Sequence, residues 1–231
     1  MINNMDWFLN HLENKIPFAY ARFNDGEMMG IDQIGTIVAR GDQYVDITLS
    51  EALKESLEYK QKNYYIGVPC SLCYPRYNKL ANDIIGEYSL KTLAVVTTNR
   101  NWKKFIDNFP KVMKDRRLIW IGGNDQDIEA IKELGLDVVK AAKVPRKNSW
   151  RFYQQLKDQI PQYFQDGDVV GISLGPAARV LVRQWFEEFK NITFIDMGSN
   201  LDPFARNVWH NCHKGWDETG FNLTTSCKEC N

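Results

Sequence analysis

The sequence predicts an α/β fold: a single doubly wound, mostly parallel Rossmann-like sheet with helices on both faces. Short runs rich in β-branched and aromatic residues alternate with amphipathic helical stretches from residue 1 to about residue 198. The sequence contains no linker rich in proline, glycine or serine and no internal repeat. A length of 231 residues suits one such domain with a full hydrophobic core.

The strands are predicted from short apolar runs that end in turn residues, at 18–23, 64–68, 92–97, 118–122, 137–140, 168–172 and 192–195. Helices are predicted where apolar residues recur at spacings of three and four, at 49–57, 80–88, 128–134, 152–160 and 177–186. From Ser199 this periodicity is lost. Residues 199–231 are therefore predicted to form an irregular, cysteine-containing tail, which packs on the domain of residues 1–198 because it is rich in aromatic residues.

Charge and hydropathy exclude several classes of protein. Lys plus Arg and Asp plus Glu number 29 each, so the chain lacks the broad positive field on which non-specific nucleic-acid binding depends. No apolar run approaches the roughly eighteen residues that a membrane span needs. The N-terminal residues lack the basic and apolar regions of a signal peptide. We expect a cytoplasmic protein with no nucleic-acid partner and no membrane span; its oligomeric state stays open.

Ligands of open parallel sheets bind beyond the carboxyl ends of the strands, so polar residues that follow strands are the candidate site residues. After the first strand come Arg22, Asp25 and Glu27. On an extended loop, side chains two residues apart point the same way, and Asp25 and Glu27 would share one divalent cation, Mn²⁺ or Mg²⁺. The alternative is an ordinary surface turn, because Asn-Asp-Gly is common turn chemistry.

Two further segments follow strands and open helices. Arg100 lies in the segment 97–102, where a helix N-terminus and a guanidinium together suit a phosphate group. Gly122, Asn124 and Asp125 belong to a Gly-Gly-Asn-Asp turn, which lets a ligand approach the backbone but lacks the G-x-G-x-x-G fingerprint of NAD or FAD sites. Asn99 and Asp125 would equally serve as plain helix caps.

The remaining candidates lie in the second half of the chain. Asn148, in the basic segment 144–150, has the paired donor and acceptor needed to read a base edge. Gly175 and Pro176 open a helix beside small residues. Asp196 and Asp202 follow the last strand and are candidates for a base or for a ligand of a sugar hydroxyl. Helix-cap and turn roles explain all of these residues as well.

Taken in order, the motifs ARFNDGE, GGND, VPRKNSW, GISLGPAARVL and FIDMGSNLD resemble the GT-D-type glycosyltransferases over about residues 17–202. This resemblance implies a Rossmann-like domain that binds a nucleotide sugar, usually a UDP-sugar. It also implies that an Asp-x-Glu motif holds a divalent metal on the diphosphate. The activity would be hexosyl transfer to a glycan, protein-linked or lipid-linked acceptor.

Carried over to this chain, the resemblance assigns the metal motif to Asp25 and Glu27. It sets Arg22 and the turn 122–125 beside the nucleotide, Asn148 against the base or ribose, and the turn of Gly175 and Pro176 along the cleft. One departure stands out. The family pattern has a histidine after the glycine that follows the last strand, whereas this chain reads Gly198-Ser199-Asn200.

Five cysteines are an odd number, which argues against a disulfide framework. Cys70 with Cys73 and Cys227 with Cys230 form two C-x-x-C pairs, which together can close a tetrahedral zinc site that ties the tail to the domain. Reduced buried thiols or a redox role are the alternatives. His11 and His210 are isolated in the sequence and are interpreted as ordinary surface or packed residues.

Two other functions remain open at this point. A nucleotide or sugar-phosphate hydrolase would use the same carboxylates and phosphate pockets. A non-catalytic nucleotide-binding or interaction module would keep the fold without turnover. The clustering of polar residues at several strand ends favours an enzyme, because a sheet does not need them for stability.

Overall fold

The computed structural model describes residues 5–38, 41–210 and 213, without the side chain of Arg100. Its strands are β1 (Ala19–Arg22), β2 (Thr36–Val38), β3 (Gln43–Val45), β4 (Tyr64–Val68), β5 (Lys91–Leu93), β6 (Arg117–Gly123), β7 (Asp137–Val144), β8 (Val169–Ser173) and β9 (Thr193–Asp196). Within the described residues, seven of them form one sheet in the order β5-β4-β1-β9-β8-β6-β7, and every neighbouring pair is parallel. The predicted doubly wound sheet is confirmed.

Helices cover both faces of this sheet. They are α1 (Asp6–Glu13), α2 (Asp25–Asp32), α3 (Ile47–Glu58), α4 (Pro75–Ile85), α5 (Trp102–Val112), α6 (Ile128–Glu133), α7 (Tyr153–Gln159), α8 (Ala177–Glu188) and α9 (Asp202–Ala205). A hydrophobic core lies on each face of the sheet, and alternate residues of β1 enter one or the other. Ala19 and Ala21 pack with α3 and α8, whereas Tyr20 packs with α1 and α5. Burial on both faces explains why the strands read as continuous apolar runs.

The fifth strand of the sheet is shorter than the sequence predicts. β5 ends at Leu93, and the predicted strand residues 94–97 form successive turns. The amide of Val96 donates to the Leu93 carbonyl at 3.1 Å, and the amide of Thr98 donates to the Val95 carbonyl at 3.0 Å. This turning carries the chain over the end of the sheet before α5 begins.

A two-stranded antiparallel hairpin, β2–β3, was not predicted. Its strands have three residues each, too few for a recognisable alternation of apolar and polar residues. The hairpin is fixed to the loop after β7. The Gln43 Oε1 atom accepts from the Ser149 amide at 3.0 Å, and the Asn148 amide donates to the Asp42 carbonyl at 2.8 Å. The hairpin thereby becomes a wall at the carboxyl edge of the sheet.

The segment after Gly198 contains one helical turn, α9, where the sequence predicts irregular structure. The Trp102 Nε1 atom donates to the Asn200 carbonyl at 2.9 Å, and the Asp127 amide donates to the Ala205 carbonyl at 2.7 Å. These bonds attach residues 200–205 to the helices α5 and α6. Cys212, Cys227 and Cys230 lie outside the described residues.

In the described part of the chain, no helix combines the length and the apolar character that crossing a membrane requires.

Candidate functional site

A cleft of about 580 Å³ opens at the carboxyl edge of the sheet. Its walls come from residues at or just after the ends of β1, β4, β6, β8 and β9, and from the hairpin residues Asp42 and Gln43. This is the place where open parallel sheets bind ligands. The volume lies within the range of about 300–1,000 Å³ that is usual for small-molecule sites.

The structure brings some of the predicted site residues into the cleft and sets others behind it. The predicted residues that line it are Arg22, Asp25, Glu27, Gly175, Asp202, Cys70 and Cys73. The predicted residues that do not line it are Gly122, Asn124, Asp125, Asn148, Pro176 and Asp196. Arg100 lies on a 3₁₀ turn whose first residue, Asn99, lines the cleft.

Asp25 and Glu27 do not lie on an extended loop, so that part of the prediction is wrong. They are the first and third residues of α2, and Asn24 is its N-cap. The Glu27 Oε2 atom accepts from the Asn24 amide at 3.0 Å, and the Asn24 side chain caps the amide of Glu27 in return. This capping box has a sequence signature, Asn-x-x-Glu, that the extended-loop interpretation overlooked.

Arg179 on α8 links the carboxylates behind the cleft. Its Nε atom lies 2.9 Å from Asp196 Oδ2, and its Nη2 atom lies 3.2 Å from Glu27 Oε1. The same guanidinium donates to the carbonyl oxygens of Arg22 and Gly175. With 5% of its side chain exposed, Arg179 is a fixed cation at the floor of the cleft.

Asp196 lies behind this floor and is fully buried. Its Oδ2 atom accepts from the Arg22 amide at 3.2 Å, and its Oδ1 atom accepts from the Gly198 amide at 3.0 Å. Burial raises the pKa of Asp196, and the charges of Arg179 and Arg22 oppose that rise. Both carboxylate oxygens are bonded within the fold, so Asp196 holds the Arg179 guanidinium, the backbone of Arg22 and the turn at Gly198 in place.

Arg22 is a second cation that lines the cleft. Its Nε atom donates to the Ala94 carbonyl at 2.9 Å, and its Nη1 atom donates to the Met197 carbonyl at 3.4 Å. The side chain lines the cleft although the residue is only 8% exposed. Two guanidinium groups held in fixed positions suit a phosphate-bearing ligand, because guanidinium donors match phosphate oxygens in charge and geometry.

Two further arginines, Arg146 and Arg206, line the cleft. Arg146 pairs with Asp42 at 2.5 Å, and Asp125 lies between the two arginines, 3.6 Å from Arg146 and 3.3 Å from Arg206. A Cβ atom at Gly123 would meet Asp125 Oδ1 at 2.4 Å and Arg206 Nη2 at 2.9 Å. The glycine is therefore needed because ion-paired side chains fill the space beside it.

The neighbouring glycine makes room for a buried hydrogen-bond chain. Trp120 Nε1 donates to Gln126 Oε1 at 2.9 Å, Gln126 Nε2 donates to Ser173 Oγ at 3.0 Å, and Ser173 Oγ donates to the Gly198 carbonyl at 2.7 Å. A Cβ at Gly122 would lie 1.8 Å from Gln126 Oε1. Gly122 thus shapes the floor of the cleft from behind.

Three predicted residues have local structural roles. The Asn148 Oδ1 atom accepts from the Tyr44 amide at 2.8 Å, so its side chain ties down the hairpin. The Asn124 amide donates to the Val144 carbonyl at 2.8 Å. Pro176 was predicted to be the first residue of a helix, and it is the N-cap of α8, one residue before that position. Their nucleotide contacts remain predictions.

Cys70 and Cys73 line the cleft, and no disulfide joins them to each other. Cys70 is buried and Cys73 is exposed. The zinc hypothesis needs Cys227 and Cys230, which the structure does not describe, so it stays a prediction. Over residues 5–38, 41–210 and 213, no cluster of three or more His, Cys, Asp or Glu side chains is arranged to hold a metal.

The pair Asp25 and Glu27 fits a divalent cation in donor chemistry and in charge. Burial, and then the negative charge of Glu27, raises the pKa of Asp25, so two carboxylates crowd the same mouth of the cleft. Mg²⁺ and similar ions are often held by one or two carboxylates together with substrate phosphates. Glu27 already contacts Arg179 and the Asn24 amide, so Asp25 is the carboxylate of the pair that such an ion would contact first.

The raised pKa of Asp25 yields a stability prediction. A carboxyl whose pKa is higher in the folded chain favours folding at low pH, and this contribution is lost as pH rises through the folded pKa. We therefore expect Asp25→Asn to unfold at a higher temperature than the wild type at pH 7, with the difference vanishing near pH 3. The control is Asp32, which lies on the same helix as Asp25 and pairs with Arg76 on α4. Asp32→Asn removes this ion pair and should give no such gain in thermal melts.

Sequence reasoning missed Arg179, Arg206 and His210 as site residues. Arg179 did leave a signal, because it is the one charged residue in the apolar run 177–182, and a buried arginine requires partners. Arg206 and His210 left none. Their neighbours in space, Asp125 and Asp202, are identified by tertiary contacts alone.

The fold matches solved structures over nearly the whole chain. One, described as a highly conserved domain of unknown function 1792 with a distinct glycosyltransferase fold, is 16% identical with a TM-score of 0.64, covering 96% of this chain and 89% of that one. Another, described as a new glycosyltransferase of this domain type from Streptococcus sanguinis, is 16% identical with a TM-score of 0.69, covering 90% and 85%. A selenomethionine-substituted structure of the same domain is 13% identical with a TM-score of 0.67, covering 95% and 82%.

No family model and no curated protein matches the sequence. The structural matches confirm the resemblance predicted from the motifs, and the chain has this glycosyltransferase fold.

Proposed function

We propose that the chain is a glycosyltransferase that takes a hexose from a nucleoside-diphosphate sugar, with a UDP-sugar as the first candidate. One observation carries this proposal. Arg22 and Arg179 both line a nucleotide-sized cleft that also contains Asp25 and Glu27, and contacts within the fold hold each guanidinium in place. The two structural relatives described as having a glycosyltransferase fold or activity support it.

The arrangement suits the charge that develops in this reaction. When the bond between the sugar and the diphosphate breaks, negative charge grows on the leaving diphosphate. Donors held in place before the reaction stabilise such charge without reorganising. Arg22 and Arg179 would provide these donors, since their partner carbonyls and Asp196 prevent them from swinging away.

A divalent cation, Mn²⁺ or Mg²⁺, would be held by Asp25 with Glu27 and would neutralise diphosphate charge. Glu27 serves a second purpose in this proposal, because its contact with Arg179 couples the mouth of the cleft to the floor. The acceptor would be a glycan, free, protein-linked or lipid-linked. It would approach from the wall of Arg146, Arg206 and His210.

The test is turnover of UDP-glucose, UDP-galactose and UDP-N-acetylglucosamine, with GDP- and ADP-sugars as controls, measured as nucleotide release with and without glycan acceptors. A transferase releases nucleotide faster with an acceptor and forms a glycosylated product. Release that no acceptor accelerates would indicate a hydrolase. Nucleotide binding without any release would indicate a non-catalytic binding module and contradict the proposal.

A further inference from the structure

We infer that His210 is the general base that takes the proton from the acceptor hydroxyl, with Asp202 as the residue that positions it. The inference rests on the proposed function and names a residue that the motifs did not. Both side chains line the cleft. His210 Nε2 lies 2.7 Å from Asp202 Oδ2, and the two side chains are 10% and 4% exposed.

The contact decides which ring nitrogen can act as the base. A carboxylate accepts hydrogen bonds, so the Asp202 contact favours the imidazole tautomer with the proton on Nε2. In that tautomer Nδ1 is the nitrogen that takes up a proton. The carboxylate also stabilises the imidazolium formed when the proton arrives, as in other pairs of a carboxylate with a histidine.

Asp202 itself is poorly placed to act as the base. His210 contacts its Oδ2 atom, and Arg206 Nη1 lies 3.6 Å from the same oxygen. With both contacts on this one oxygen, the carboxylate serves to orient the imidazole, as carboxylates paired with histidines do elsewhere. Asp202 is therefore a positioning residue, and the proton goes to the imidazole.

A second histidine holds the chain at His210. The His210 amide donates to His213 Nδ1 at 3.2 Å, and the His213 ring lies 4.9 Å from that of Trp102. Burial, followed by the charge of His210, lowers the pKa of His213 to about 4. His213 is thus neutral near pH 7 and keeps the lone pair that this hydrogen bond requires.

The proposed reaction moves one proton, forms one bond and breaks one bond. The acceptor hydroxyl gives its proton to His210 Nδ1, and its oxygen forms a bond to the anomeric carbon. The bond from that carbon to the diphosphate oxygen breaks, and its electron pair leaves with the nucleoside diphosphate, which Arg22 and Arg179 contact. A separate base on the incoming oxygen corresponds to a single displacement, so the anomeric configuration should invert.

The experiment compares His210→Gln and Asp202→Asn with His11→Gln, a histidine that bonds Trp7 and Tyr65 outside the cleft. UDP binding is measured by calorimetry. Turnover is measured as UDP release from UDP-glucose with water as acceptor, since water needs a base as well. We expect His210→Gln to bind UDP within about 2-fold of the wild type and to turn over roughly 10²–10⁴-fold more slowly. His11→Gln should match the wild type.

Two further readouts separate a base from a structural residue. Among the described residues, the titratable groups in contact with His210 are Asp202 and His213, and Arg206 pairs with Asp202. Removing a general base changes how turnover depends on pH, so the profile of turnover against pH should change shape in His210→Gln and not in His11→Gln. Added imidazole should partly restore turnover to His210→Ala.

The outcomes divide cleanly. Three results would contradict the assignment of His210 as the general base. They are unchanged turnover in His210→Gln, equal losses of UDP affinity and turnover in that variant, and release of sugar with retained configuration. A folded wild type that neither binds nor releases UDP or any other nucleotide would contradict the proposed function, and the base with it.

Discussion

Replacing Arg179 with methionine should lower the free energy of unfolding by about 3–5 kcal/mol, the usual cost of removing one partner from a buried ion pair. The substitution keeps most of the side-chain volume but leaves Asp196 and Glu27 without their shared cation. Two backbone carbonyls, those of Arg22 and Gly175, lose their donor as well. Urea denaturation followed by circular dichroism measures the change.

Arg183→Met is the matched control, because Arg183 lies one turn farther along the same helix. Its partners Glu55 and Glu187 are exposed and 3.9 and 3.5 Å away, so its loss should cost about 1 kcal/mol or less. Equal effects of the two substitutions would show that the Arg179 network does not hold the floor of the cleft together.

Replacing Gly198 with alanine should weaken UDP binding by roughly 10- to 100-fold, the loss of one charge-assisted hydrogen bond to phosphate. Gly198 has φ of +50°, and a Cβ there would lie 2.4 Å from Arg22 Nη1 and 3.1 Å from its Cζ atom. The guanidinium must then move from the position that faces the cleft. Calorimetric titration with UDP measures the loss.

Gly167→Ala separates this displacement from backbone strain. Gly167 also has a positive φ, +88°, but a Cβ there meets nothing within 4 Å. Both substitutions should lower stability through the left-handed backbone, and only the one at Gly198 should change UDP affinity. If Gly167→Ala also bound UDP more weakly, the loss of affinity in Gly198→Ala would be due to general destabilisation and not to the displacement of Arg22.

The sheet was predictable because its signals are local. Each strand is buried on both faces, so it reads as an apolar run, and the intervening helices show their own spacing. The hairpin β2–β3 was not predictable, because contacts of Gln43 and Asn148 with distant backbone, rather than alternation, hold its short strands. The helical start at Asp25 was predictable from the capping box.

The site was predictable in place but not in detail. Polar residues after strands mark the carboxyl edge of the sheet, and Arg22, Asp25 and Glu27 lie in the cleft accordingly. Which carboxylate faces the cleft depends on tertiary contacts, so Asp196 and Asp202 could not be told apart. The contact of Asp202 with His210 forms where α9 and the chain after it fold back on the sheet, a feature with no spacing signal.

The most direct test of the central claim is a calorimetric titration of UDP, with and without Mn²⁺, into the wild type and Asp25→Asn. Asp25 is chosen because Glu27 also holds Arg179, and its loss would disturb the floor. We predict that Mn²⁺ tightens UDP binding to the wild type and has little effect on the variant. Folded wild-type protein that binds none of UDP, GDP or ADP under either condition would contradict a nucleotide-sugar site in this cleft.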